Sequence, residues 1–428
     1  TDFALALAGH RAGGPAKVAV ISSAFLGMLS GSSISNVLTT GALTIPMMKQ
    51  TGFRPHEAAA IETTASLGGG LMPPLMGTGV FIMASFTGVP LLTILAYSLI
   101  PAVLYFASIY FYVDVKAKKG KFRGLDRTDL PRVGAVLKRG WHMFLPIFVL
   151  IGLLLFNFTP FLASAACVVM ILFTSFLRPE SRITPRRLVI ALEGSTRIAM
   201  TLSTLLCSAA IIYTVSVETG LFVKLSSVIL SLSQGSAFIA IVLIGLMSYV
   251  LGMGLPVTAS YVIIAALGAP ALGDLGVPIL AAHLIIFWFA QDSTITPPIC
   301  MTAFAGARIA GAAPMRTGWE CVMIAKSLYV IPFAFAFGGL LSPSMLELGF
   351  TTLSLFAFFA LMPLVFEGHL FHRLGVWERG LISIPAASWL WSAMGAFADR
   401  LPVALAALVL TVVVVLMVRQ RSQATAPA

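Results

Sequence analysis

Asp292 stands in the run Gln291-Asp292-Ser293-Thr294-Ile295-Thr296-Pro297-Pro298, inside an otherwise apolar stretch. A carboxylate there is a functional candidate by default, because burying it without a partner is costly. With Ser293, Thr294 and Thr296 it offers only oxygen donors, the ligand type a hard cation such as Na⁺ takes. It could equally pass a proton or hydrogen-bond the broken backbone. A second oxygen-rich run is Ser30-Gly31-Ser32-Ser33-Ile34-Ser35-Asn36. Ser30, Ser33 and Asn36 are candidate cation ligands. Ser32, Ser33, Asn36 and Thr39 are candidates for contact with a bound solute. Ser and Asn also cap helix ends, which is the bland alternative. Gly68 and Gly69 either lend backbone carbonyls or permit close packing. Gly252, Gly254 and Thr258 form the matching later set, with Thr258 and Ser293 also facing a solute. Met253 between those glycines reads as packing, since a thioether is a poor Na⁺ partner. Glu62, one turn before Ser66, is the acid of the earlier region and either binds or only braces.

The elements that must hold these residues are membrane helices. Hydrophobic residues make up 58% of the 428 and charged residues 10%, against about 25% charged in soluble domains. The apolar residues fall in blocks of about 20, the length that crosses a bilayer core. The formal charge of +11 sits between those blocks, as the positive-inside rule requires, and no basic stripe with stacking aromatics points to nucleic acid. Cys167, Cys207, Cys300 and Cys321 show no CxxC spacing and read as small packing residues. The chain begins at Thr1 without an initiating Met, so a missing N-terminal portion is expected.

Two blocks are broken by proline pairs. Pro73-Pro74 is followed by Pro90, and Pro297-Pro298 by Pro314 at the same spacing. Each pair lies midway through an apolar segment that follows a Gly-interrupted one, 18–48 in the first half and 237–270 in the second. If both Gly-interrupted segments dip into the membrane and return, nearly all basic residues fall on one side. Arg11, Lys17, Lys49, Arg54, Arg316, Arg373, Arg379, Arg419 and Arg421 are then cytoplasmic, and the outside loops keep only Lys224 and Arg400. The expected fold is an all-α polytopic membrane protein with an inverted-topology repeat, each half carrying a re-entrant hairpin and a broken helix. Proline removes an N–H and frees carbonyls. Such backbone survives at membrane depth only where protein or a water-filled cavity satisfies it. Half-helix N-termini additionally present N–H groups to anions.

The expected division is 1–140 (hairpin 18–48, broken helix 57–87, span 91–113, basic loop 116–139), then 141–345 (connecting spans, hairpin 237–270, broken helix 277–312), then a C-terminal extension 346–428. His283 reads as a packed, hydrogen-bonded histidine, and Arg308 as snorkelling to headgroups. His10, Arg11 and Lys17 belong to an interfacial segment.

The runs Ser30–Val37, Thr39–Pro46, Gly52-Phe53-Arg54-Pro55, Gly68–Pro74, Gly252–Pro256, Ala281-Ala282-His283, Ile295–Pro298 and Pro314–Glu320 resemble the tripartite ATP-independent periplasmic (TRAP) transporters, and within them the fused permease subunit. The likeness covers roughly residues 1–340 and weakens after them. One departure stands at the second break, where relatives are expected to read Ala-Asp-Val-Thr-Pro-Pro and the acid here lies two residues earlier. The resemblance implies a multi-pass protein of the bacterial inner membrane that imports an organic acid with Na⁺ as coupling ion. It implies a periplasmic solute-binding protein as partner, of the TAXI class in many fused types, and a small-subunit-like region ahead of Thr1. The alternatives are an inverted-repeat, ion-coupled anion carrier that needs no binding protein and, more remotely, an intramembrane hydrolase or a channel. No HExxH, no GxSxG elbow and no filter motif occurs.

Overall fold

The computed structural model describes residues 1–127, 130–156, 158–395 and 397–424. Among them the chain is helical, with an isolated bridge between His369 and Arg373 as its one β feature. Six helical stretches are long and apolar enough to cross a membrane. The protein is an all-α polytopic membrane protein. It forms two compact units, one of Phe3–Leu130 with Leu221–Ala428 and one of Pro131–Gly220.

In the larger unit, a short α1 (Asp2–Ala8) precedes α2 (Gly14–Ser30) and α3 (Ser33–Gln50). Gly31 ends α2 at φ 61°, in the left-handed region, and the Ser32 hydroxyl then caps α3 by accepting the Ser35 N–H at 3.4 Å. α2 and α3 close into a hairpin: the Ser23 hydroxyl lies 3.1 Å from that of Thr40, and Asn36 Nδ2 donates to the Ser23 carbonyl at 2.9 Å. α4 (Pro55–Gly68) opens with proline in its first turn and with Glu57 accepting the Arg54 N–H at 3.0 Å. It stops at Gly68, and the chain resumes helix only at α5 (Gly79–Thr87). The gap holds Pro73-Pro74, as expected. α6 (Leu91–Lys119) follows.

α6 runs six residues past the expected end of its span. Lys116, Lys118 and Lys119 in its last turn favour the negative end of the helix dipole, so the helix outlasts its apolar stretch. In the smaller unit, α7 (Val133–Gly140) falls within the expected basic loop. A 3₁₀ turn (Trp141–Phe144), α8 (Leu145–Leu155) and α9 (Pro160–Ser175) come next. α10 (Pro185–Glu218) begins where Thr184 caps it and Pro185 fits its first turn. Asp129, in the basic loop, lies outside the described residues.

The larger unit resumes with α11 (Leu221–Ser233), a helix the sequence reading passed over. α12 (Ala237–Gly252) and α13 (Val257–Asp274) form a second hairpin, with Gly268 packed on Ile244. α14 (Ile279–Asp292) ends on the acid, and α15 (Met301–Ala310) resumes past Pro297-Pro298. Both proline pairs are cis. Each half thus repeats hairpin, half-helix, break and half-helix. α4 from Ala58 to Gly68 and α14 from Ala281 to Asp292 are buried on all sides. They form the centre of the unit.

α16 (Pro314–Ile324) and α17 (Ser327–Phe337) form one span interrupted at Ala325-Lys326. The extension is α18 (Met345–Glu367), α19 (Val376–Met394) and α20 (Phe397–Ala424). Arg400, read as an outside-loop residue, is buried in α20. Its guanidinium donates to the Gly395 carbonyl at 2.6 Å and to Glu347 at 3.1 Å. Lys116 gathers Glu57 at 3.2 Å, Glu320 and Glu367, so that α4, α6, α16 and α18 share one ionic knot.

Candidate functional site

Each half buries one carboxylate beside its break. Glu62 on α4 is fully buried. Its Oε1 accepts from Ser23 at 2.8 Å, Ser66 at 3.0 Å and Thr40; its Oε2 accepts from Thr44. Four hydroxyls from three helices therefore answer one acid. Asn36, fully buried, adds Nδ2 contacts to the carbonyls of Ser23 and Ser66, tying the hairpin to α4 just ahead of the break.

Small residues allow this closeness. A Cβ on Gly27 would run into the Gly69 backbone, and one on Gly31 would lie 2.5 Å from the Gly77 Cα. The hairpin arm and tip rest backbone to backbone on the break of their own half. Gly68 packs on Tyr105, whose hydroxyl donates to the Thr64 carbonyl at 2.7 Å. Gly70 faces the Gln291 side chain from the other half.

The second half is built alike but finished differently. Asp292 ends α14, fully buried. Its Oδ1 accepts from Thr296 at 3.1 Å and from Tyr329 on α17 at 3.0 Å. Its buried Oδ2 meets no donor in good hydrogen-bond geometry, although the Tyr249 hydroxyl on α12 lies close enough to interact with the same carboxyl as a donor. The Ser260 hydroxyl is also buried and unpartnered. A Cβ on Gly252 would lie 2.6 Å from Ser293 Oγ and 2.7 Å from Ser260 Oγ, so both oxygens crowd the bare Gly252 Cα at the second hairpin tip. Ser293 donates to the Ala290 carbonyl at 2.8 Å, leaving its oxygen lone pairs available.

The halves cross-link reciprocally. Ser33 at the first hairpin tip lies 3.1 Å from Thr302, just past the second break. Thr258 at the second tip lies 2.7 Å from Thr78, just past the first break. Thr78 and Thr302 each stand four residues beyond their second proline.

The anticipated residues therefore divide. Asn36, Gly68 and Gly69 converge on the first break, and Gly252, Ser293, Asp292 and Thr296 on the second, which Ser33 also reaches through Thr302. Thr258 reaches the first break. Ser32 serves as a helix cap, Ser30 Oγ accepts the Ser32 N–H at 3.5 Å, and Thr39 turns its hydroxyl to the Ser35 carbonyl at 2.8 Å on an exposed face. Gly254 is exposed at φ 73°. His283 Nδ1 lies 2.7 Å from the Tyr261 hydroxyl, and Arg308 is exposed in the last turn of α15. Sequence reasoning missed Ser23, Thr40 and Thr44 around Glu62. It also missed Tyr249 and Tyr329 around Asp292 and Ser260 beside Gly252. The hydroxyls of Thr40 and Thr44 stand one helical turn apart on α3 while Ser23 comes from α2, a convergence that became readable only with Glu62 as their target.

Comparison with known proteins decides the family. Residues 1–347 match the tripartite ATP-independent periplasmic transporter, DctM component. The chain belongs to this TRAP transporter family. Among its relatives is the C4-dicarboxylate TRAP transporter large permease protein DctM of Pseudomonas aeruginosa, 24% identical over 77% of each chain. A putative TRAP transporter large permease protein of Haemophilus influenzae is 24% identical over 70% of this chain and 69% of its own. The 2,3-diketo-L-gulonate TRAP transporter large permease protein YiaN of Escherichia coli is 22% identical over 70% and 69%. The chain is a TRAP permease component of the bacterial inner membrane, and both hairpins and both breaks fall inside the matched region. The C-terminal helices α19 and α20 lie beyond it.

Proposed function

We propose that this permease imports an organic acid by symport with Na⁺, taking the acid from a periplasmic binding protein. The observation that carries the reading is the second break. Ser260 Oγ is buried without a partner and crowds Gly252 together with Ser293, and Oδ2 of the adjoining Asp292 is buried without a hydrogen bond. An all-oxygen set with unspent acceptors suits a hard monovalent cation and suits neither a soft metal nor an apolar ligand. Asp292, Thr296, Ser293, Gly252, Gly254 and Thr258 are the proposed Na⁺ ligands of the second half, with Ser260 added. Ser30, Ser33, Asn36, Gly68 and Gly69 are those of the first.

The carboxylate cargo is inferred from the relatives, two of which are named for C4-dicarboxylate and 2,3-diketo-L-gulonate. Its proposed contacts are Ser32, Ser33, Asn36 and Thr39 of one hairpin and Thr258 and Ser293 of the other half. Half-helix N-termini there offer N–H groups to an anion. A cation bound at each break would fix the hairpin tip against it, and the reciprocal hydroxyl pairs would carry that ordering to the opposite half. The two halves are read as inverted repeats that expose the shared site to one side at a time.

Uptake into proteoliposomes tests this, with the small permease portion and a cognate binding protein supplied. The expected result is accumulation of a radiolabelled acid only under an inward Na⁺ gradient. Uptake unchanged when K⁺ replaces Na⁺ sinks the coupling. Full-rate uptake without any binding protein points instead to a free-standing anion carrier.

A further inference from the structure

An apolar groove of about 390 Å³ opens between α2, α6 and α18, with Met72 of the first break on its wall. Phe25 of α2, Val103, Phe106 and Phe111 of α6, and Phe356 of α18 line it. Phe111 and Phe356 meet edge to face at 5.1 Å and wall it on one side. Phe25 and Val103 remain 44% and 51% exposed, so the chain itself leaves the groove unfilled. Tyr110 also lines it and brings a hydroxyl to an otherwise apolar wall.

That hydroxyl accepts a hydrogen bond from the exposed Arg11 guanidinium at 3.1 Å. The Lys17 ammonium lies 5.1 Å over the same ring. Lys17 pairs with Asp114, which also takes Lys118 at 2.6 Å. Two cations thus share one carboxylate at this end of the groove, with the Arg11 guanidinium on Tyr110 as a third positive charge. Two backbone bonds, Gly13 N–H to the Phe122 carbonyl at 3.3 Å and Leu125 N–H to the Gly9 carbonyl at 2.9 Å, fasten the Arg11 turn beside Lys121 and Arg123. The groove is therefore apolar along its length and strongly basic at one mouth.

We propose that the groove between α2, α6 and α18 is a binding site for an anionic phospholipid, with an acyl chain against Phe25, Val103 and Phe106 and the phosphate held by Arg11. The occupant follows from charge complementarity. An acyl chain fills an apolar furrow, a guanidinium takes phosphate oxygens through paired N–H donors, and surplus basic charge selects a lipid of net negative charge over a zwitterionic one. Tyrosine and basic side chains mark the headgroup level. The site also bears on transport. The face of α2 opposite the groove carries Ser23 and Gly27, which hold Glu62 and Gly69. A lipid chain lodged between α2 and α6 resists displacement of the hairpin arm, so its occupancy depends on where that arm lies.

Native mass spectrometry of the full chain in detergent tests the proposal, titrating phosphatidylglycerol or phosphatidylcholine of identical acyl chains. Wild type is expected to bind phosphatidylglycerol about tenfold more tightly than phosphatidylcholine. Arg11→Gln should bring the two lipids to within about twofold, whereas Arg11→Lys should keep most of the preference. Ala107 of α6 also lines the groove, so Ala107→Trp, which fills it, should remove the site for both lipids at an unchanged melting temperature, and the smaller Ala107→Leu covers the case in which tryptophan disrupts folding. Equal binding of the two lipids by wild type overturns the proposal. So does phosphatidylglycerol binding that survives both groove-filling variants, or that millimolar inorganic phosphate displaces completely, since the site would then recognise a free anion.

Discussion

Glu62 lies within the half-helix before the first break and Asp292 ends the half-helix before the second, yet only one of them is saturated. Glu62 spends both oxygens on four hydroxyls drawn from α2, α3 and its own helix. Asp292 spends one oxygen on Thr296 and Tyr329 and keeps the other buried without a hydrogen bond. A buried carboxylate whose acceptors are all met by protein is a brace: it orders the hairpin whether or not a ligand is present. A buried carboxylate with an unmet oxygen carries a standing cost of desolvation that an arriving cation relieves. The contrast teaches that repetition of architecture does not imply repetition of role. The first half is preorganised, while the second keeps coordination capacity in reserve.

The hardest way to break this comparison is to remove the brace. Glu62→Ala takes the acceptor from four buried hydroxyls at once. Thr40 and Thr44 retain the carbonyls of Asn36 and Thr40, whereas the Ser66 hydroxyl makes no other hydrogen bond among the described residues. The expected loss is roughly 2–4 kcal/mol of stability, read as a lower melting temperature of the purified permease, with uptake lost alongside it. An unchanged melting temperature would show that Glu62 is no brace.

Asp292→Asn should behave in the opposite manner. The amide keeps the shape and can still accept from Tyr329, so melting without Na⁺ should hold. Transport should fall about 100-fold, equivalent to about 2.7 kcal/mol of lost ion binding, and Na⁺ should no longer raise the melting temperature. Retained Na⁺ protection in this variant would place the ion elsewhere. Gly252→Ala probes the same site by volume alone. Its methyl group would sit 2.6 Å from Ser293 Oγ and 2.7 Å from Ser260 Oγ, displacing both. About a tenfold loss of apparent Na⁺ affinity is expected, about 1.4 kcal/mol, measured as the Na⁺ dependence of uptake. A wild-type Na⁺ curve would separate Gly252 from the ion site.

Much of this arrangement was legible in the residues, for reasons that differ by feature. The breaks were, because proline and glycine act locally: Gly31, Gly69 and the two Pro-Pro pairs interrupt helices wherever they fall. Asp292 was, because an acid in an apolar run has few ordinary explanations. The saturation of Glu62 was not. Ser23, Thr40 and Thr44 lie on other helices, and a serine or threonine in a membrane helix normally satisfies itself on its own backbone, as Ser98 does with the Ile94 carbonyl at 2.7 Å. Only the tertiary placement of α2 and α3 against α4 distinguishes a donor aimed at an acid from one aimed at its own turn. Tyr249 and Tyr329 were hidden likewise, since each belongs to a helix remote in sequence from the break it serves. The extension of α6 through Lys119 was missed because hydropathy marks the apolar stretch and not the end of the hydrogen-bond ladder.

The smallest expected effect bears on how the two halves communicate. Ser33 with Thr302 and Thr258 with Thr78 are related by the repeat, but the first pair is buried and the second exposed. Interhelical hydroxyl bonds in membrane proteins average about 0.6 kcal/mol and reach about 1.7 kcal/mol. A double-mutant cycle of Ser33→Ala with Thr302→Val should give a coupling near the upper end of that range, because no water replaces the lost bond. The cycle of Thr78→Val with Thr258→Val should give one near zero, because water does. Uptake rate and melting temperature, measured for all four corners of each cycle, read the two couplings. Equal couplings would mean that water reaches both pairs alike. The asymmetry between the halves would then be confined to the acids and would not extend to the contacts between hairpin tips and breaks.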